Sequence, residues 1–450
     1  MDPKNKSLFI LFLLLYVATG LLLPVADPRA DPKAVLLKNG RPLRFFNADC
    51  HAGTAAVVAS MVASRHGVSI VTQSAYQISM IRRQYPSLVD VRSAPSLNCP
   101  QKVEIEPWAS EKIKQHIFDT LNQDPAIQAT DAFICTFPSA MCEALFAFNK
   151  TVIFAPGLRF SFMSCSKEAW AESVRILRRA ARSTSPRHFV AALSKYDAEY
   201  VNYFTGINPL PLYSSSRGYI PEAPFMPSRP EILVGPLALQ AKDVAARGLD
   251  VEFFQQLAAT TEFKFATAKD LYDGSFSLEQ VQQHRAAVVL PYAVMSVGLT
   301  ELYALGIPLF FPSLRLMNER PLLFPNDRTM TGRNKTYSYC GEDQTIVPEQ
   351  DEHSSHPYSP ESLAGDAKAH WLKLADFYHW PHITFFDSIA DLEKKLRKAD
   401  FKKLHMAMLE EVASQEAKLD QAWSQIADGM EDQPRAVPSS YRSISDFLPT

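Results

Sequence analysis

The stretch from Ala286 to Ser313, AAVVLPYAVMSVGLTELYALGIPLFFPS, decides the fold. Its first five residues, Ala286 to Leu290, are continuously apolar and bounded by Pro291, the pattern of a strand buried on both faces. Met295 to Leu305 then follows a helical pattern closed by Gly306, and Pro308 to Phe311 is apolar again. Strand, helix and strand in that order form a βαβ unit, which pairs its strands in parallel and covers the sheet with helices.

The same grammar recurs on both sides of that stretch. Leu43 to Phe46 reads as a strand, Asn47 to Gly53 as a loop, Thr54 to His66 as a helix closed by Gly67, and Val68 to Thr72 as a strand. Ile113, Ile117 and Leu121 mark an amphipathic helix. Ala132 to Cys135, a helix over Ser139 to Phe148, the strands Thr151 to Ala155 and Phe189 to Leu193, and a helix around Ala198 to Phe204 complete a first domain, residues 40–207. Asn208 to Pro230 holds six prolines and the three serines Ser214 to Ser216, and reads as an interdomain crossing. A second domain, 231–398, opens with Glu231 to Val234. It continues through a helix (Val251 to Ala258), a strand (Glu262 to Ala266) and a helix near Leu278 to His284 into the opening stretch. Within it, Pro321 to Ala369 is a polar interruption that reads as a long surface loop or lid. Trp371 to Tyr378 follows as a helix, His382 to Phe385 as a strand and Ile389 to Lys398 as a helix. Leu404, Met408, Val412, Leu419, Trp423 and Ile426 share one face of a closing helix, 399–430, before a tail, 431–450. The expected fold is therefore α/β, with two Rossmann-like domains facing across a cleft.

Composition narrows the function. With 46 Lys and Arg against 48 Asp and Glu, the formal charge is −2, which removes the driving force for a dedicated nucleic-acid binder. Glycine is scarce at 16 of 450 residues, and neither G-x-G-x-x-G nor G-x-x-x-x-G-K-[ST] occurs. Leu8 to Leu23 is free of charge behind Lys4 and Lys6, so residues 1–26 read as a signal-anchor or a signal peptide, with Ala18-Thr19-Gly20 the nearest cleavage site. A lumenal body follows from either. Asn149-Lys150-Thr151 and Asn334-Lys335-Thr336 are sequons suited to that compartment, with Asn334 in the more polar setting. Six cysteines (Cys50, Cys99, Cys135, Cys142, Cys165 and Cys340) permit disulfides without fixing their pairing.

The sharpest constellation is Ser296-x4-Glu301-x4-Gly306-Ile307-Pro308. A helix that starts after a parallel strand offers unpaired N–H groups and the positive end of its dipole, which suit a diphosphate. Glu301, one to two turns later, can accept hydrogen bonds from ribose hydroxyls, and Gly306 allows the tight return to the next strand. This arrangement resembles the nucleotide-sugar site of glycosyltransferases with the two-Rossmann GT-B fold. That resemblance implies that Ser296 binds phosphate and Glu301 the ribose, with Gly306 and Tyr292 completing the donor site. Asp49-Cys50-His51-Ala52-Gly53-Thr54, between the first strand and first helix, adds a second likeness. In several inverting GT-B enzymes a histidine at that place deprotonates the acceptor hydroxyl, so His51 is the implied base. Asp49 is either an alternative base or the group that orients the imidazole.

The runs Cys135-Thr136-Phe137-Pro138, Tyr196-Asp197-Ala198-Glu199-Tyr200, Leu290-Pro291-Tyr292, Pro308 to Ser313 and Trp380-Pro381-His382-Ile383 together are similar to a eukaryotic group of glycosyltransferase-like proteins. Thr136, Arg159 and Arg315 follow parallel strands and are candidate contacts to phosphate or acceptor, a guanidinium being suited to fork onto either anion. The sequence departs from the retaining enzymes' E-x7-E pattern, since Leu309 stands eight positions after Glu301. No metal site is expected: D-x-D is absent, Asp197-Ala198-Glu199 and Asp250-Val251-Glu252 fall on helices or caps, and His353-x2-His356 and His379-x2-His382 lack a third ligand. Arg175, Arg178, Arg179 and Arg182 read as a solvated helix face, or less simply as a surface for acidic glycans. Hydrolase, zincin and kinase motifs are missing. The resemblance implies a metal-independent, inverting transfer, hexosyl or fucosyl in type, from a nucleotide-sugar co-substrate to a glycan or protein hydroxyl. No other cofactor is expected, and the setting is the Golgi or endoplasmic reticulum membrane. A lumenal or secreted glycan- or protein-binding member without catalysis is the alternative, and a sugar-phosphate enzyme such as an epimerase a third.

Overall fold

The computed structural model describes residues 43–48, positions within 57–62, 67–71, 89–92, most of 115–320 and most of 355–431. All belong to one compact unit. Among them are two wholly parallel sheets. The first joins β1 (Arg44–Ala48), β2 (Gly67–Val71), β3 (Val89–Arg92), β4 (Ala132–Cys135), β5 (Thr151–Phe154), β6 (Phe189–Ala192) and β7 (Leu210–Pro211) in the order β3-β2-β1-β4-β5-β6-β7. In register, Phe45 lies opposite both Val68 and Ala132. The second joins β8 (Ile232–Gly235), β9 (Phe265–Thr267), β10 (Ala287–Val289), β11 (Leu309–Pro312) and β12 (Thr384–Phe386) in the order β12-β11-β10-β8-β9. Each order reverses once, between β1 and β4 and between β8 and β10, which makes both sheets doubly wound and places a switch point at the carboxyl ends of those strands.

Burial explains why the strands read as unbroken apolar runs. Every residue of β4, β5, β8, β10 and β11 is buried, as a sheet covered on both faces requires. β7 is the exception, a two-residue edge strand inside the proline-rich crossing; Pro211 has no N–H to donate and is tolerated only at such an edge. The crossing thus contributes a strand where sequence suggested only a connector, and β3 is a second strand that the pattern did not flag.

The helices that matter below are α1 (Lys167–Arg182), α2 (Lys195–Thr205), α3 (Val251–Ala258), α4 (Val297–Ala304), α5 (Leu314–Glu319), α6 (Gly365–Leu372), α7 (Asp376–His379), α8 (Ile389–Lys398) and α9 (Phe401–Glu431). Local chemistry sets their ends. Ser194 caps α2 by accepting the Asp197 N–H at 3.0 Å, and Gly206 closes it in the left-handed region at φ 69°. Asp250 caps α3 and is held in turn by Arg320 at 2.7 and 2.9 Å.

Further features also differ from expectation. Ser139–Phe148 is helical over the expected span but winds as a 3-10 helix, tied to the end of β4 by a Cys135–Cys142 disulfide. The single helix expected over Trp371 to Tyr378 is two: α6 begins six residues earlier at Gly365, and α7 restarts at Asp376 after the extended Ala375. Of the α1 arginines only Arg182 is exposed as a solvated face requires, and the other three are engaged. Arg175 bonds Glu172 and Glu143, Arg179 lies 4.9 Å over the Phe146 ring, and Arg178 donates to the Thr205 carbonyl at 3.3 Å.

Helix α9 links the two sheets. Near its start His405 packs at the end of α4, while further along Trp423 meets the β1 residue Phe45 edge-on at 5.3 Å. Of the face marked by sequence, Met408, Val412, Leu419, Trp423 and Ile426 are buried and Leu404 is half-buried. Among the described residues no helix is long and apolar enough to cross a membrane, and Leu8 to Leu23 lies outside them.

Candidate functional site

The loop leaving β10 at the second switch point delivers Ser296 as the N-cap of α4, with extended backbone (φ −149°, ψ 132°). Its carbonyl accepts the Leu299 and Thr300 N–H groups, both at 3.1 Å, and its side chain makes no capping bond. The first-turn amides of α4 and its dipole therefore end beside the carboxyl edge of the sheet, where an anion is stabilised.

Glu301 lies one turn into α4 and meets the crossing. Its Oε1 accepts the Tyr219 hydroxyl at 2.7 Å. The preceding residue, Thr300, pairs its Oγ1 with Ser216 Oγ at 2.6 Å and donates to the Val297 carbonyl at 2.7 Å. Tyr219 Oη also stands 3.2 Å from Ser216 Oγ. On the other side, the Gly218 N–H donates to Ser60 Oγ at 2.8 Å, and a Cβ on Gly218 would lie 2.5 Å from the Ser60 carbonyl oxygen. Ser215 bonds Glu416 of α9. Residues 215–219 thus touch the first half at Ser60, the second half at α4, and the closing helix. Burial pushes the Glu301 carboxyl up to about 7, against the opposing effect of the hydrogen bond from Tyr219. Tyr219 itself is raised well above the usual phenol range by burial and then by the Glu301 charge.

Gly306 ends α4 in a Schellman turn: its N–H bonds the Tyr303 carbonyl at 2.9 Å and the Ile307 N–H bonds that of Leu302 at 3.2 Å. Its φ of 66° favours glycine, and a Cβ there would stand 2.7 Å from His405 Nδ1. That ring nitrogen donates to the Gly306 carbonyl at 2.8 Å. The place of Gly306 in the structure is therefore the turn and the close approach of α9.

A second set of polar groups gathers where the carboxyl ends of the two sheets meet. The Asp376 N–H donates to the carbonyl of Val294, in the loop that leads to Ser296, at 3.2 Å. Burial, and then the charge of Asp197 from α2, raise the Asp376 carboxyl well above the carboxylate range. Ser194 Oγ donates to Asp197 Oδ2 at 2.6 Å, and Tyr213, just after β7, feels both Glu199 and Asp376. Alongside, His356 bonds His370 of α6 at 2.9 Å and Glu199 of α2 at 3.1 Å.

The remaining sequence candidates are distributed as follows. Thr136 is buried directly after β4, and Arg315 is exposed on α5 with its guanidinium on Glu319 at 2.7 Å and Asp387 at 3.2 Å. Asn149 is exposed with φ 51° between the 3-10 helix and β5. His51, Asp49, Tyr292, Arg159 and Asn334 lie outside the described residues. Among the described residues no group of three or more His, Cys, Asp or Glu is placed to hold a metal ion. Sequence reasoning missed Ser216, Tyr219 and Asp376. Only the Ser-Ser-Ser-Arg-Gly-Tyr run inside a proline-rich segment hinted that the crossing carries more than a connection.

Fold and site define a protein of two doubly wound parallel sheets, joined by a crossing that reaches the switch-point helix of the second. No family model matches the chain, and no curated protein does. Among solved structures it is similar to the glycotransferase of kitacinnamycin, with a TM-score of 0.38 and 10% identity over 88% of this chain and 100% of that one.

Proposed function

We propose that the protein is a GT-B-type glycosyltransferase that moves a sugar from a nucleotide-sugar donor to a hydroxyl of a glycan or protein, without metal and with inversion. The observation that carries this reading is Glu301: a half-buried glutamate on the helix after the switch-point strand β10, with Oε1 held by Tyr219 and its carboxyl raised by burial. In this mechanism the α4 amides and Ser296 hold the diphosphate and Glu301 takes the ribose. Asp376, whose N–H is anchored on Val294 of the same loop, is proposed as a further contact to the sugar. His51, oriented by Asp49, removes the acceptor proton as the oxygen attacks the anomeric carbon, and the nucleoside diphosphate leaves with the bonding pair. Tyr292, Thr136, Arg159 and Arg315 are proposed as further contacts to donor or acceptor. The Cys135–Cys142 disulfide and the exposed Asn149 favour an oxidising lumen, with residues 1–26 as anchor or signal in the Golgi or endoplasmic reticulum. One observation favours the second reading, a non-catalytic glycan- or protein-binding protein: the crossing already occupies one Glu301 oxygen.

A thermal-shift screen of the full chain against UDP, GDP, CMP and their common sugar conjugates, with Glu301→Ala in parallel, tests the proposal. At a hundredfold its dissociation constant a ligand stabilises the native state by about 2.7 kcal/mol. A shift specific to one nucleotide and lost in the variant is expected. A folded protein that responds to none of them is the binding protein instead.

A further inference from the structure

The hydroxyls around Glu301 admit a proton inventory. Thr300 gives its proton to the Val297 carbonyl at 2.7 Å, so at the 2.6 Å contact it must accept from Ser216. Tyr219 then gives its single proton to Glu301 Oε1 at 2.7 Å, and its 3.2 Å neighbour Ser216 Oγ receives nothing from it. That arrangement suits an ionised Glu301, which only accepts. A protonated Glu301 reverses one link without moving a heavy atom: the carboxyl O–H donates to Tyr219 Oη, and the Tyr219 proton turns to Ser216 Oγ. Both partners of the tyrosine oxygen are already in place, and both Tyr219 and Ser216 are buried, so water does not compete for them.

Resting on the nucleotide-sugar reading of this site, we propose that Tyr219 is a positioning residue. By turning its hydroxyl between Glu301 and Ser216 it sets which protonation state Glu301 presents to the ribose, so that the interdomain crossing makes donor affinity depend on pH. The ionised state offers two acceptor oxygens, of which Tyr219 occupies one and leaves Oε2 for a ribose hydroxyl. The neutral state spends its proton on Tyr219 and binds the ribose more weakly, because a hydrogen bond to a charged acceptor is the stronger.

The groups on the elements around Glu301 are engaged elsewhere. On α9, His405 bonds the Gly306 carbonyl and Glu416 bonds Ser215, while Glu411 acts on Tyr303; Tyr303 of α4 itself donates to the Pro381 carbonyl at 3.0 Å. Arg217, the cation of the crossing beside Tyr219, does not contribute to the shift of Glu301, which is set by burial and by Tyr219. The titration close to 7 that this balance produces places the exchange of states within the range of a secretory compartment.

The test is the titration of Glu301, followed by the carboxyl 13C resonance in Glu-labelled full-length protein and assigned by its loss in Glu301→Gln, together with UDP, GDP and CMP affinity from pH 5.5 to 9. In the wild type the resonance titrates near 7. Tyr219→Phe removes the donor to the ionised form and should raise the proton affinity of Glu301 about tenfold. Ser216→Ala removes the acceptor that serves the neutral form and should lower it. Affinity for the bound nucleotide should match the wild type above pH 8.5 in Tyr219→Phe and fall progressively below it. Identical titration in all three proteins, or a loss of affinity equal at every pH, overturns the role of Tyr219. Opposite shifts in the two variants with no nucleotide bound at any pH would leave the relay standing and remove the nucleotide-sugar reading instead.

Discussion

His188 is buried between β5 and α1, and its Nδ1 accepts the Val152 N–H at 3.0 Å, so the neutral ring carries its proton on Nε2. Burial, and then the nearby Arg179 charge, push its pKa down to about 4. The folded state therefore resists the proton that the unfolded chain takes up near 6.5. The stability this neutral ring contributes is present above pH 6.5 and is lost as pH falls toward 4, by at most about 3 kcal/mol. Urea unfolding at pH 7 and pH 4.5 should show that loss in the wild type and a flatter dependence in His188→Asn. Gly306 makes the complementary case for shape. Gly306→Ala forces a left-handed alanine and a contact at 2.7 Å with His405, and should cost about 2–3 kcal/mol in the same measurement. At this scale the sequence was readable where a residue serves its neighbours: Gly306 was legible as a turn because a strand follows it at once. Tyr219 was not, because its partner Glu301 is 82 positions away and only the fold brings them together.

Helix α6 shows how an element is fixed by what it docks on. Trp371 is fully buried, edge-on to Tyr196 and Tyr203 of α2 at 5.7 Å each and tilted against His356 at 4.6 Å, while its Nε1 donates to the Tyr358 carbonyl at 2.9 Å. These contacts join a helix of the second half to one of the first. Trp371→Ala should therefore cost about 3–5 kcal/mol, and Trp371→Phe clearly less, in chemical denaturation. The helical pattern around Trp371 was visible in sequence, but its limits were not. Gly365 as a first residue and the break at Ala375 run against propensity, and they are imposed by the seat of Trp371 and by the Asp376 N–H on Val294. Strands fared better: β4 and β5 fall within a residue of their expected limits, since an apolar run between two breakers has few other solutions.

Across the whole molecule the two sheets were legible and their union was not. Period and punctuation report what each segment buries, but not which partner it finds. The apolar face of α9 could be read; its reach from Gly306, met by His405, to Phe45, met by Trp423, follows from about 1.5 Å of rise per residue over the positions between them, roughly 27 Å. A chain ending at Lys418 retains the contact of His405 with α4 but loses Leu419, Trp423 and Ile426. Calorimetry should then show the first sheet melting earlier, separated from the second, where the full chain melts in one transition.

Residues 215–219 invite a last consequence. A connector that only spans distance can be cut, and the pieces on either side recombined with those of a cousin. Here five consecutive residues hold Ser60, Thr300, Glu301 and Glu416 at once. The two halves are thus not interchangeable cassettes. A chimaera joined anywhere in this run inherits Ser215 from one ancestor and its partner Glu416 from the other, so in any lineage that keeps the arrangement the halves must change together.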